Sequence, residues 1–347
     1  MKFEVYSSYD QEWSDIINQF PSQNTDIYFL REWYQTWLSY EDSEAFCIHC
    51  EIDGFRFLYP FLKRKISKYS LSKKYFDIQS AYGYGGIISS LEIVPSDIQS
   101  KLNSLIDDYL HDSSVIAEFI RVHPLLDSVL RTSEYSVVRK NVFVITSESY
   151  RIPHKQARQN ISRAKSANLE VQIDASFRHL DEFIRLYRLT AGRLNMSGYY
   201  WFNEDYFNRV VEMMRGMSTL IHISYQGQII ASGLLLFYNG KASLHLAASD
   251  DAYFNFRPND FLYYATIEYC KEANINILNL GGGLSSNQDD SLFKFKTKYG
   301  SFSKDVIVGK NIINREIYKM ISQEWSSIYP ELVEKYRNYL LCYRMEE

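Results

Sequence analysis

The chain has 347 residues, 46% of them hydrophobic and 16% aromatic, with 29 Tyr and 21 Phe; that length exceeds what one core usually organises, and the composition excludes a disordered chain. A formal net charge of -4 excludes a general nucleic-acid coat of the chromatin or ribosomal kind and predicts no DNA partner, while leaving room for a local basic patch. No window approaches the apolar length of a membrane span, and Met1-Lys2-Phe3-Glu4-Val5-Tyr6 opens the chain without a signal-like apolar run, so a cytoplasmic location without membrane insertion is expected.

In chain order, the first predicted element is an aromatic-rich helix at Tyr28-Phe29 and Glu32-Trp33-Tyr34. A strand over Ala45 to Ile52, the Asp53-Gly54 turn and a second apolar strand from Phe55 to Leu62 predict a hairpin. Cys47 and Cys50 form a C-x-x-C within the first of these strands. Residues three apart on a strand face opposite sides and no second cysteine pair exists, so these two, with Cys270 and Cys342, read as free thiols and no metal site is predicted. A loop rich in Tyr and Gly, Ala81-Tyr82-Gly83-Tyr84-Gly85-Gly86, comes next. Asp97 to His111 then places Ile98, Leu102, Leu105, Ile106, Tyr109 and Leu110 at helical spacing, with a strand from Val115 to Val122 after it. In Arg151 to Leu169, Ala157, Ile161 and Ala164 mark an apolar stripe, while Arg151, Lys155, Arg158, Arg163 and Lys165 crowd the remainder. This segment reads as a basic linker helix.

Beyond the linker the pattern begins again. Trp201-Phe202 with Asp205-Tyr206-Phe207 falls over Tyr28-Phe29 with Glu32-Trp33-Tyr34, and at the same offset Ile221-His222 and Gly227 fall over Ile48-His49 and Gly54. A hairpin strand from Ile229 to Tyr238, a further strand from Ala242 to Ser249 across Asn239-Gly240, a helix opened by Pro258 and a strand from Ile275 to Leu280 complete the repeat. The counterpart of Ala242 to Ser249 in the first half is blurred. Helix, antiparallel hairpin, helix and a strand entering a parallel position predict a mixed α/β fold made twice, each copy a mostly antiparallel sheet flanked by helices. The boundaries drawn are 1–150 for the first unit and 151–347 for the basic helix with the second unit.

Four segments carry a family resemblance. Tyr82 to Gly86 is similar to a YGYGG loop, and Arg158-x-Asn160-Ile161-x-x-Ala164 to an R-x-N-I-x-K-A helix. Leu244 to Ser249 leading into Asn259-Asp260-Phe261-Leu262 is similar to a strand and helix start. Leu278 to Gly283 followed by Leu292-Phe293-Lys294-Phe295-Lys296-x-x-Tyr299-Gly300 is similar to LGG and L-x-x-FK-x-x-FG elements. In that order and spacing, over nearly the whole chain, they resemble the FemAB-related acyltransferases of the GNAT superfamily. The resemblance implies tandem GNAT-like folds. It also implies transfer of an acyl or aminoacyl group onto an amine of a cell-envelope precursor, an amino-sugar nucleotide or a peptidoglycan stem, with acyl-CoA or aminoacyl-tRNA as donor and no tightly bound cofactor. The alternatives are a non-catalytic glycan- or partner-binding module on the same duplicated scaffold, or an aminoacyl-tRNA-dependent peptidoglycan-bridge transferase.

The site expectations follow from both readings. The resemblance places Lys296, with Phe295, near the donor, where a cation would stabilise the oxyanion of a tetrahedral intermediate. Gly281, Gly282 and Gly283 follow a strand and would let backbone N–H groups approach a ligand oxygen. Alternation along Ser243 to Ser249 puts His245 on a polar face as a candidate base. Tyr82, Gly83, Tyr84, Gly85 and Gly86 would line the acceptor pocket, and Arg158 and Arg163 would grip phosphates. Phe256-Arg257-Pro258-Asn259-Asp260 lacks the glycines with which GNAT enzymes cradle the CoA pyrophosphate and adds a carboxylate there. The sequence leaves the oligomeric state open.

Overall fold

The computed structural model describes residues 1–347 except Tyr40, Asp127, Ser128, Leu130, Thr132, Ser133, Ser197, Ser285, Ser286, Gln288 and Glu347; of Tyr199 only the backbone is described. The chain forms two compact units, Met1–Val137 with Val306–Glu347, and Val138–Asp305.

The first unit opens with β1 (Lys2–Ser7), α1 (Gln11–Ile17) and α2 (Arg31–Trp37), followed by the predicted hairpin β2 (Ser43–Ile52) and β3 (Phe55–Ile66). Then come β4 (Tyr75–Gln79), the short β5 (Ile88–Ser89), α3 (Ser96–Asp112) and β6 (Val115–Arg121). β1 to β4 pair antiparallel in sequence order, β5 adds to β3, and β6 joins β4 in parallel. β4 is the counterpart that the sequence left blurred. The α3 residues Ile98, Leu102, Ile106 and Leu110 pack with Ile48, Cys50, Phe57 and Ile78 of the sheet, as their helical spacing requires.

The second unit begins at β7 (Glu134–Ile145), whose latter part lies in it, and continues with α4 (Lys155–Ser166), β8 (Glu170–Asp174), α5 (Leu180–Arg193) and α6 (Glu204–Met213). β9 (Ser218–Tyr225), β10 (Gln228–Tyr238), β11 (Lys241–Ser249), α7 (Pro258–Glu272), β12 (Ile277–Gly282) and α8 (Ser291–Thr297) follow. β8 to β11 pair antiparallel in sequence order, β12 joins β11 in parallel, and β7 closes antiparallel against β12. This is the topology of the first unit, where β13 (Phe302–Ile312) closes antiparallel against β6. The offset that aligns the two halves of the sequence also aligns α2 with α6, β2 with β9 and β3 with β10.

The boundaries differ from those expected at 150 and 151. The chain leaves the first unit inside β7 and returns to it inside β13, so Val306–Glu347 belong with the first unit. There α9 (Arg315–Ile328) buries Ile321 and Trp325 with Ile116 and Ala117 of β6 and with Leu340 and Leu341. Nor is the basic helix a linker. Ala157, Ile161 and Ala164 of α4 are buried in the core of the second unit with Phe261, Leu262 and Ala265 of α7, because an apolar stripe of small residues lets two helices approach closely.

Candidate functional site

In the second unit the parallel strands β11 and β12 pair only at Lys241, Ala242 and Ser243, opposite Ile277, Leu278 and Asn279. Beyond those residues the two strands no longer pair, which opens the sheet between their carboxyl-terminal ends. His245 stands two residues past the last pair on β11, and Gly281 two past it on β12.

The first unit treats the same place differently. After β4 meets β6 the chain stays attached: Ser80 N donates to Phe119 O at 3.1 Å, Gly85 N to Arg121 O at 2.7 Å, and His123 N to Gly85 O at 3.1 Å. The loop from Tyr82 to Gly86 therefore fills the opening. Tyr84 is buried, in ring contact with Tyr28 at 5.0 Å and His123 at 5.2 Å. A side chain at Gly83 would overlap the Tyr28 ring, and one at Gly85 would come 2.7 Å from Ser80 Oγ. Gly86 is buried as well. Tyr82 alone in this loop keeps partial exposure, stacked on Trp37 at 5.2 Å, while its carbonyl accepts from Trp33 Nε1 at 2.9 Å. The loop expected to line an acceptor pocket is packed as core, apart from the face of Tyr82. Its aromatic spacing is equally compatible with either arrangement, which is why sequence did not separate them.

On the β12 side of the open cleft, Gly281 has a left-handed backbone (φ 74°) and Gly282 pairs with Asn141 of β7. A side chain at Gly282 would overlap the Lys140 carbonyl, and one at Gly283 the Asp290 carboxylate, so these two glycines are required by close packing. Asp290 caps α8, accepting from Phe293 N at 2.9 Å and Leu284 N at 2.8 Å. One turn further, Lys296 is half-buried, and its Nζ donates to Gly282 O at 2.8 Å. Burial of the ammonium, reinforced by the nearby Arg139 cation and opposed by Asp290, pulls Lys296 down to about 7. Its neighbours differ. Lys294 is exposed and pairs with Asp289 at 2.7 Å, and Lys298 lies over the Phe295 ring at 5.6 Å. Phe295 itself packs on Tyr263 and Tyr299, with ring centroids at 5.1 and 5.5 Å, and holds α8 to the core.

On the β11 side the expected alternation breaks. Leu234 of β10 faces Leu246 and Leu235 faces Leu244, so His245 is the extra residue of a β-bulge. A bulge re-aims its side chain and puts Leu244 and Leu246 on opposite faces, where strict alternation would put them on one. The His245 Nε2 lies 2.8 Å from the hydroxyl of buried Tyr206, and burial pulls the imidazole down to about 3. A ring so reluctant to bind a proton is a poor base for an ammonium; its place suits a neutral hydrogen-bonding group.

The remaining motif residues form a scaffold. Asp260, buried in the first turn of α7, accepts from Asn160 Nδ2 at 3.1 Å and from the Tyr299 hydroxyl, which ties the R-x-N-I helix, the N-D-F-L helix start and the FK-x-x-YG segment to one carboxylate. Arg158 is exposed and donates to Ile152 O at 2.8 Å and Pro153 O at 2.6 Å; it straps the entry to α4 where a phosphate grip was expected. Arg163 is exposed on the same helix. Sequence reasoning missed Asn141, Asn279 and Asp290 at the cleft; an Asn two residues before a glycine pair at a strand end was the available signal for Asn279. Among the described residues there is no group of three His, Cys, Asp or Glu that would hold a metal ion, and no helix long and apolar enough to cross a membrane.

A duplicated mixed sheet, opened between two parallel strands in its second copy, is the architecture of a tandem GNAT-type acyltransferase fold. Residues 153–294 match the family model described as an acetyltransferase (GNAT) domain. The chain is 30% identical over 129 residues to lipid II:glycine glycyltransferase of Staphylococcus saprophyticus, covering 35% of this chain and 30% of that protein. It is 25% identical over 218 residues to UDP-N-acetylmuramoylpentapeptide-lysine N(6)-alanyltransferase of Weissella viridescens, covering 61% of this chain and 57% of that protein. In each case the match spans less than two thirds of the relative. The crystal structure of FemX superposes with a TM-score of 0.69 at 15% identity, over 92% of this chain and 100% of that one. The carboxyl-terminal domain of a putative lysylphosphatidylglycerol synthetase from Agrobacterium fabrum superposes with a TM-score of 0.54 at 12% identity, over 92% and 95% of the two chains. At such identities these two superpositions speak to fold. Residues 153–294 therefore carry a GNAT-type domain, and the chain is similar to glycyl and alanyl transferases of the Fem type.

Proposed function

We propose that the second unit acylates an amine of a cell-envelope precursor, and that the group transferred is an aminoacyl residue carried as an ester on tRNA. The amine nitrogen, as the free base, forms a bond to the ester carbonyl carbon while the carbonyl electrons move to oxygen. The tetrahedral adduct then collapses with cleavage of the carbon–oxygen ester bond; the nitrogen sheds a proton and the departing ribose oxygen gains one. In its protonated form Lys296 would donate a hydrogen bond to the oxyanion. The observation that carries this reading is Lys296 anchored on Gly282 O at the mouth of the open cleft.

The start of α7 favours an aminoacyl ester over acyl-CoA. Pro258 at the first helical position has no N–H to offer, Arg257 precedes it in a left-handed conformation, and Asp260 brings a buried carboxylate into the first turn. A pyrophosphate would meet few donors and a negative charge where GNAT enzymes usually bind it. The two relatives, a glycyl transferase of lipid II and an alanyl transferase of a muramoyl-pentapeptide lysine, support an aminoacyl residue as the group transferred and a peptidoglycan stem as acceptor.

The deciding experiment supplies the purified protein with a lipid- or nucleotide-linked pentapeptide and either charged tRNA or acyl-CoA. Expected is amide formation with charged tRNA, abolished by ribonuclease; amide formation with acyl-CoA alone would overturn the donor assignment. Lys296→Ala should lower turnover by about 100-fold or more with little change in stability, and unaltered turnover would remove Lys296 from the mechanism.

A further inference from the structure

β12 changes register where the cleft opens, and two asparagines sit at the change. Asn141 of β7 is fully buried and Asn279 of β12 nearly so. Asn141 Nδ2 donates to Asn279 Oδ1 at 3.2 Å, and Gly281 N donates to the same oxygen at 2.8 Å. The second contact is an Asx-type turn, a side-chain carbonyl taking the N–H two residues on. It bends the backbone into the left-handed conformation of Gly281, after which Gly282 pairs with Asn141. The turn thus sets the direction of the Gly282 carbonyl, the acceptor for Lys296 Nζ at 2.8 Å.

We infer that the Asn141–Asn279 amide pair is a positioning device for Lys296, holding the Gly281–Gly282 turn on which the lysine is anchored in the cleft. The inference rests on the reading of Lys296 as the oxyanion donor. The charged groups facing Lys296 are Arg139 from β7 and Asp290 from the start of α8; on its own helix Lys294 turns to Asp289 and Lys298 to the Phe295 ring. Anchored there, the ammonium is partly stripped of water beside another cation. Released from Gly282, its flexible stem would reach solvent and recover ordinary lysine basicity.

The test is the pH dependence of amine-reagent labelling at Lys296, read by mass spectrometry on the whole chain, in wild type, Asn279→Leu and Asn141→Ala, beside kcat and KM. Expected in Asn279→Leu is a labelling midpoint raised by more than about one pH unit, with kcat reduced about tenfold or more and KM little changed. Asn141→Ala, which leaves the Gly281 contact in place, should shift the midpoint in the same direction by less. An unshifted midpoint in folded Asn279→Leu overturns the inference; if that variant does not fold, an unshifted midpoint in Asn141→Ala does. Unchanged turnover in Lys296→Ala would instead defeat the catalytic reading while leaving the labelling shift standing, so the two failures are distinguishable.

Discussion

Lys296 and His245 both lose proton affinity to burial, with opposite consequences. Burial pulls Lys296 down to about 7, so in the role we propose for it the fraction able to donate to an oxyanion falls as the pH rises through neutrality. Turnover at saturating acceptor should therefore carry a component that declines above about pH 7, and Lys296→Arg, which keeps its charge throughout, should lack that decline; a pH profile of kcat in the two proteins checks it. For His245 the folded value is about 3 against an ordinary 6.5. Above 6.5 the ring is neutral in both states. Below 6.5 the unfolded chain binds a proton that the folded one refuses, so stability drops by up to about 1.4 kcal/mol per pH unit until about pH 3. His222 and His49 are lowered by burial in the same direction. Urea midpoints between pH 6.5 and 4 should fall steeply in wild type and less steeply in His245→Gln. At this scale the sequence was half legible. The FK pattern singled out the half-buried lysine of α8, whereas the bulge that decides where His245 points leaves no trace in a run of alternating residues.

The motifs were easy to see, but their work was not. Asn160, Asp260 and Tyr299 lie far apart in the chain, and only the packing of α4 on α7 and the turn after α8 brings them to one buried carboxylate. Asp260→Ala should cost about 1–3 kcal/mol by leaving the Asn160 and Tyr299 groups unmatched, read as a lowered urea midpoint. Where periodicity was strong the elements were fully legible: α3, the two hairpins and the opening of α7 fall where apolar spacing, Asp53-Gly54 and Pro258 put them. β7, β8 and β13 were missed. β7 is exposed or half-buried from Glu134 through Lys140 and buried only from Asn141 to Val144, so it lacks the period of two that betrays a strand. The glycine loop from Tyr82 to Gly86 shows the reverse limit, a plain signal whose meaning depends on whether the neighbouring strands stay together.

The duplication was legible because a constant offset survives in helices and hairpins, but the unit boundaries were not, since both run through strands and no linker composition marks them. Each copy is closed by a strand that chain order assigns elsewhere: β7 in the second unit, β13 in the first, where α9 follows it. The returning segment also locks a buried charge. Asp77 accepts from Arg64 Nε at 3.0 Å, Arg344 Nε at 2.6 Å and the Tyr343 hydroxyl at 3.1 Å. Asp77→Ala, which strands buried Arg64 with Glu41 alone, should destabilise the first unit by about 3–5 kcal/mol, measurable by hydrogen exchange in β3 and β4. The chain order of β13 also bears on synthesis. On the ribosome Val138–Asp305 is one uninterrupted stretch and can mature as soon as it emerges, whereas β6 must wait with an open edge until that entire stretch has been made. At a few to about twenty residues per second that delay lasts about ten seconds or more, during which the earlier-made half is the later to finish and the more exposed to association with other nascent chains.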